Sequence, residues 1–186
     1  MRNSLRAYSL GYEGISLDRY VEVLRENGIS VVVDVRETPW SYKPGFSKKP
    51  LTERLQAEGI LYLHIKSAGN PSRNRKMGLP QHDVIELYRK HLDADPSCLD
   101  QIYELIVTAR GAVCLLCFEQ EPCDCHRKVI LDRIAQSRNL IACHLHGRTH
   151  LLEESVASHR VPEPDYGERA GVHVKVPEHE GGLVAV

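Results

Sequence analysis

Apolar and polar positions along the chain fall into blocks whose periods predict its elements. Tyr8 to Tyr12 (YSLGY) reads as a short strand that runs into a turn at Gly11 and Gly14. Ser16 then caps LDRYVEVLRENG, in which Leu17, Tyr20, Val21 and Leu24 share one helical face and Gly28 closes the helix. ISVVVDVRE follows, with an unbroken β-branched run at Val31 to Val33, the pattern of a strand buried on both faces, as in a parallel sheet. Strand, helix and buried strand in that order predict a βαβ unit.

The remaining blocks extend the same alternation. A proline-broken loop, TPWSYKPGFSKKP, precedes a helix over LTERLQAEG and a strand at ILYLHI. Lys66 to Leu79 is polar, basic and broken by Gly and Pro, and is expected as a loop. Helices over HDVIELYRKHLDAD and SCLDQIYELIVTARG lead to a buried strand, AVCLLCF, and then to a helix from about Cys125 to Ser137. NLIACHLH predicts a last short strand and LLEESVASHR a short helix. Beyond Val161 the chain is rich in Pro, Gly and charge, so an extended arm or tail is expected over 161–186, after one α/β domain over 1–160. The fold class is three-layer α/β, Rossmann-like, with about five parallel or mixed strands and helices on both faces.

Such sheets bind ligands beyond the carboxyl ends of their strands. The loops after VVVDVR, LYLHI and CLLCF are expected to converge there, and they carry nearly all the unusual residues. Composition narrows the candidates. With 186 residues and a formal net charge of −1, the chain suits one domain and is not held on nucleic acid by bulk charge. It has neither the apolar segment of a signal peptide nor a run of roughly 20 apolar residues, so a cytoplasmic protein with no membrane partner is expected. The six cysteines, at 98, 114, 117, 123, 125 and 143, are clustered, which in a reducing compartment means metal ligands, reactive thiols or small core residues rather than a disulfide framework.

Three constellations carry candidate chemistry. Alternation points Asp34 and Arg36 to the same side of a strand end, where they form an ion pair or Arg36 forks onto an oxyanion. Ser67 to Lys76 (SAGNPSRNRK) combines Gly69 and Asn70, which permit unusual backbone, with Arg73, Arg75 and Lys76; this suits an anion, or is simply a solvated basic loop. Trp40, Tyr42 and Phe46, near Ser41, offer rings on which a base can stack, which tilts the ligand towards a nucleotide or nucleic acid. The third is CLLCFEQEPCDCHR. Cys114 reads as core, Cys117 and Glu119 end the strand, and Asp124 is expected to cap a helix whose first turn holds Cys125, His126 and Arg127. A thiol there, beside His and Arg, is in a setting that lowers its pKa, although the nearby carboxylates oppose this. Zinc is the rival: Cys117, Cys123, Cys125 and His126, with Cys143, His144 or His146, supply ligand types. The C-x-C-H spacing, however, is not that of a zinc knuckle, and adjacent Cys125 and His126 are expected not to reach one ion easily. The cofactor is therefore left unassigned, and no metal ligand is assigned.

These motifs together resemble the family catalogued as domain of unknown function 488. The matching segments are YSLGYEG at 8–14, DVRETPWS at 34–41 with Phe46-Ser47, SAGNPSRNRK at 67–76, Cys117-Phe118-Glu119, Cys125-His126-Arg127 and the His-Leu-His at 144–146. They run in order over residues 8 to about 150. The family's usual L-G-G is A-G-N here, and Cys123 lies outside its pattern. The resemblance implies an α/β fold and little biochemistry. The VVVDVRETPW strand with a later strand-end cysteine is also similar in architecture to rhodanese sulfurtransferases, without their compact cysteine loop. Three functions are thus carried forward. The first is an enzyme, of the hydrolase or transferase kind, or a ligand-binding domain, acting on a nucleotide or nucleic-acid component; Arg36, Arg73 and Arg127 hold the anion and Cys125 or Glu119, with His126, carries the chemistry. The second is a thiol-dependent sulfurtransferase or redox enzyme. The third is a non-catalytic module with structural or metal-bound cysteines. Oligomeric state is not legible.

Overall fold

In the computed structural model, which describes residues 5–148 and 152–156, six strands form one sheet in the order β3-β2-β4-β1-β5-β6. They are β1 (Leu5–Gly11), β2 (Ile29–Asp34), β3 (Leu61–His64), β4 (Ala112–Cys117), β5 (Leu140–Leu145) and β6 (Leu152–Val156). The first five are mutually parallel, and β6 runs antiparallel along β5. The helices are α1 (Leu17–Glu26), α2 (Lys48–Ala57), α3 (Ser72–Lys76), α4 (Gln81–Ala94), α5 (Ser97–Thr108) and α6 (His126–Ser137). Helices α1 and α2 pack one apolar layer, with Leu10, Val32 and Leu116 as the sheet's contribution. Helices α4, α5 and α6 pack the other, against Val33, Leu115 and Ala142. The two layers use alternate residues of the same strands, as a pleated sheet buried on both faces requires.

The Rossmann-like three-layer reading therefore holds, with two local corrections. Residues 152–156, expected as part of a helix, form a strand: the edge of β5 offers unpaired backbone groups, and pairing there overrides a weak helical pattern. The rest of that expected helix, and the expected arm over 161–186, lie outside the described residues. The segment 66–79 is not wholly loop. It holds a 3-10 turn over Lys66–Ala68 and the short helix α3. Among the described residues no helix is long and apolar enough to cross a membrane.

Candidate functional site

The carboxyl ends of the central strands meet at a cavity of about 490 Å³. The three loops expected to converge do so: Arg36 to Lys43 follow β2, Asn70 and Arg75 follow β3, and Cys117 to Glu119 follow β4. Tyr12, just past β1, ties the strand ends together. Its ring stacks on Phe46 at 4.2 Å and meets Phe118 edge-on, while its hydroxyl accepts from Arg36 Nη1 at 2.8 Å.

Asp34 and Arg36 form the ion pair that their alternation allows. Arg36 Nε and Nη2 fork onto the Asp34 carboxylate, which also accepts from the Tyr62 hydroxyl at 2.6 Å. With Nη1 on Tyr12, the guanidinium is spent within the protein although it borders the cavity. Arg127 is wholly buried. It donates to the carbonyls of Glu119 at 2.5 Å and Gln120 at 2.7 Å, and through Nε to Ser9 Oγ. Its structural place is therefore a clamp on the turn after β4, and it does not line the cavity. Gly11 lets that turn lie close: a Cβ there would stand 1.8 Å from the Glu119 carbonyl oxygen.

The basic loop divides. Gly69 is packed on the Glu37 backbone, and Asn70 is buried and accepts from Asn74 Nδ2. Arg75 borders the cavity and approaches Glu37 at 3.8 Å, whereas Arg73 is exposed outside it. Ser41 lines the cavity and accepts from the Lys43 amide. Phe46 is core and offers no free face, so the stacking surface is Trp40, Tyr42 and Phe118, all exposed and all on the cavity. Lys43, which the sequence reading passed over, also borders it; burial and nearby Arg148 lower its pKa. Only its place in a loop rich in Pro and aromatics hinted at it.

The cavity wall holds the cysteine cluster. Cys125 is the N-cap of α6, in extended conformation, and His126 is the first helical residue; Asp124 ends a 3-10 turn rather than capping the helix. This change of backbone direction turns two successive side chains towards Cys117 and Glu119. Both thiols donate to the same oxygen, Glu119 Oε2, at 2.9 Å from Cys117 and 3.0 Å from Cys125. His126 Nε2 lies 2.7 Å from the Val35 carbonyl, which only accepts, so Nε2 carries the proton and Nδ1 faces the sulfurs at 3.6 and 3.9 Å. Tyr88 packs edge-on against the imidazole and donates its hydroxyl to Ala68 O. One donor atom from each of Cys117, Glu119, Cys125 and His126 lies within 4.8 Å of all the others. Cys125 and His126, expected not to reach one ion easily, thus bring their donor atoms to the same small volume.

Burial, then the neighbouring Cys125, pushes the Glu119 carboxyl up to about 7. The thiols move apart. Burial and Cys125 raise Cys117 well above an ordinary thiol. Burial also opposes ionisation of Cys125, but the hydrogen bond from Cys117 and the charges of Arg127 and His126 outweigh it and hold Cys125 well below. Yet Cys125 is 1% exposed and does not line the cavity, while Cys117, Glu119 and His126 do. Cys114 is packed in the core, as expected, and Cys123 is exposed, outside the cluster.

A family model described as "Domain of unknown function DUF488" matches residues 16–134, more than half of the chain. No curated protein matches, and no solved structure does.

Proposed function

We propose, for a chain that belongs to the DUF488 family and whose family description assigns no chemistry, an enzyme acting on a nucleotide or a nucleic-acid component. The observation that carries the reading is a single cavity that unites exposed aromatic faces, cations and a reactive wall. Trp40, Tyr42 and Phe118 offer surfaces on which a base stacks, each such contact being worth about 1–3 kcal/mol. Lys43 and Arg75 stand where phosphate oxygens would be held, the part first given to Arg36, Arg73 and Arg127. Cys117, Glu119 and His126 form the wall on which the substrate's reacting end would rest. The volume suits a ligand of mononucleotide size.

The thiol-transfer alternative has less support, because the thiol whose pKa is lowered lies behind the wall, and burial raises the pKa of the one in the cavity. Trp40, the chain's single tryptophan, makes the test direct. Nucleotides, nucleosides and short single-stranded oligonucleotides are titrated against Trp40 fluorescence, with thermal shift in parallel. Saturable quenching is expected, and the pair K43A/R75A should weaken a nucleotide by about tenfold, or about 1.4 kcal/mol, while leaving its nucleoside nearly unchanged. If none of these ligands binds up to millimolar concentration, the reading fails.

A further inference from the structure

The three wall groups and Cys125 behind them share a property that nucleotide recognition does not require. Each presents a metal-ligating atom to one small volume: two thiol sulfurs, a carboxylate oxygen and the Nδ1 of an imidazole. For a tetrahedral ion with ordinary zinc–sulfur, zinc–nitrogen and zinc–oxygen bonds, the ligand atoms stand about 3.3–3.8 Å apart. The contacts of 3.6 and 3.9 Å from sulfur to Nδ1 already bracket the upper end of that range. Those of 2.9 and 3.0 Å from sulfur to Oε2 are thiol–carboxylate hydrogen bonds, and need to open by only about half an ångström once an ion replaces the two protons.

We infer that Cys117, Glu119, Cys125 and His126 bind one zinc ion in the wall of the cavity. The contacts that would orient these ligands are already made. The Val35 carbonyl fixes the imidazole so that, in the neutral ring, the lone pair of Nδ1 points at the sulfurs, the arrangement by which metal-binding histidines are held. Arg127 grips the carbonyls of Glu119 and Gln120, and Gly11 lets that turn approach β1, so the carboxylate is positioned by backbone rather than by a flexible loop. Without an ion, these largely buried groups are compensated by two thiol hydrogen bonds onto a single oxygen, long sulfur–Nδ1 contacts and the imidazole's bond to the Val35 carbonyl, which leaves the sulfurs weakly satisfied. Two sulfurs and an imidazole select zinc over magnesium or calcium, which favour oxygen ligands. Three of the four ligands line the cavity, so the ion sits in its wall; four protein ligands fill a tetrahedral shell, the composition of a structural zinc centre.

The inference shares its cavity with the nucleotide reading but rests on the donor atoms alone. Zinc can bind where no nucleotide does, and Trp40 can report a nucleotide on zinc-free protein, so the two fail separately. In the test, the full chain is loaded with zinc, desalted and measured by elemental analysis, then reloaded with cobalt for spectroscopy. One zinc per chain is expected, with near-ultraviolet thiolate-to-cobalt charge transfer and the strong visible bands of a tetrahedral ion. C117S and C125S should lose the metal, and C123S should keep it. As those first two variants can fail to fold, alkylation of the wild-type chain provides a second arm. Zinc should slow labelling of Cys117 and Cys125 by at least tenfold, a chelator should restore it, and exposed Cys123 should label alike in both states. A wild-type chain that retains no zinc, a cobalt spectrum without thiolate charge transfer, or protection of other thiols would overturn the inference.

Discussion

Asp34 helps to hold the site without touching the cavity. Its carboxylate, fully buried, accepts from three groups: the guanidinium and amide of Arg36 and the hydroxyl of Tyr62 on the neighbouring strand β3. Removing one member of a buried ion pair leaves the other charge uncompensated, at a cost of about 3–5 kcal/mol. D34A is therefore expected to destabilise by that amount, whereas Y62F, which removes one of several donors, should cost about 1 kcal/mol. Urea unfolding at neutral pH measures both, and equal, small losses would contradict this account of the pair. The pair itself was legible, because strand alternation alone sets residues 34 and 36 on one side. The role of Arg127 was not. Its two closest partners are backbone carbonyls of a turn, and no side-chain pattern records where a carbonyl points.

Element boundaries were more readable where local chemistry sets them. Ser16 Oγ accepts from the Arg19 amide at the start of α1, and Gly28, just beyond its end, has φ +63° with open space around its Cβ position. S16A thus removes one cap, and G28A adds only the strain of a left-handed backbone. Each is expected to cost about 1 kcal/mol. The helix between them is about 15 Å long, so the double variant should show the sum in denaturant unfolding; strong non-additivity would mean that the two ends communicate. Where tertiary pairing decides, local pattern fails, as at β6, whose strand state comes from the free edge of β5. The junction at Cys125 shows a third case. Ligand spacing argues against a metal when C-x-C-H is taken as a knuckle, but an extended N-cap followed by a helical residue aims adjacent side chains at one point. Spacing rules assume a backbone, and this one differs from that assumed.

At the scale of the whole molecule, the cysteine cluster joins parts of the chain that the sheet alone brings only near each other. Cys117 ends β4, Glu119 belongs to the turn that Arg127 clamps, and Cys125 and His126 begin α6, whose imidazole is bonded to Val35 just past β2. An ion bound by these four residues crosslinks the end of β4 to the start of α6, whose imidazole is in turn bonded to Val35 beyond β2. Unfolding the domain must break the site, because its ligands and their partners span β2, β4 and α6. Zinc should therefore stabilise the entire domain and not the turn alone. At free zinc one hundred times its dissociation constant the gain is about 2.7 kcal/mol. For a chain of this size that corresponds to a rise of roughly 5–10 °C in the melting midpoint. Calorimetry of zinc-loaded and chelator-treated protein checks it: one transition that shifts upward as a unit, and that C123S retains, is the expected outcome. A midpoint indifferent to zinc would separate the cluster from the stability of the sheet, and a second, independently melting transition would show that the site is a local appendage to the fold and not one of its joints.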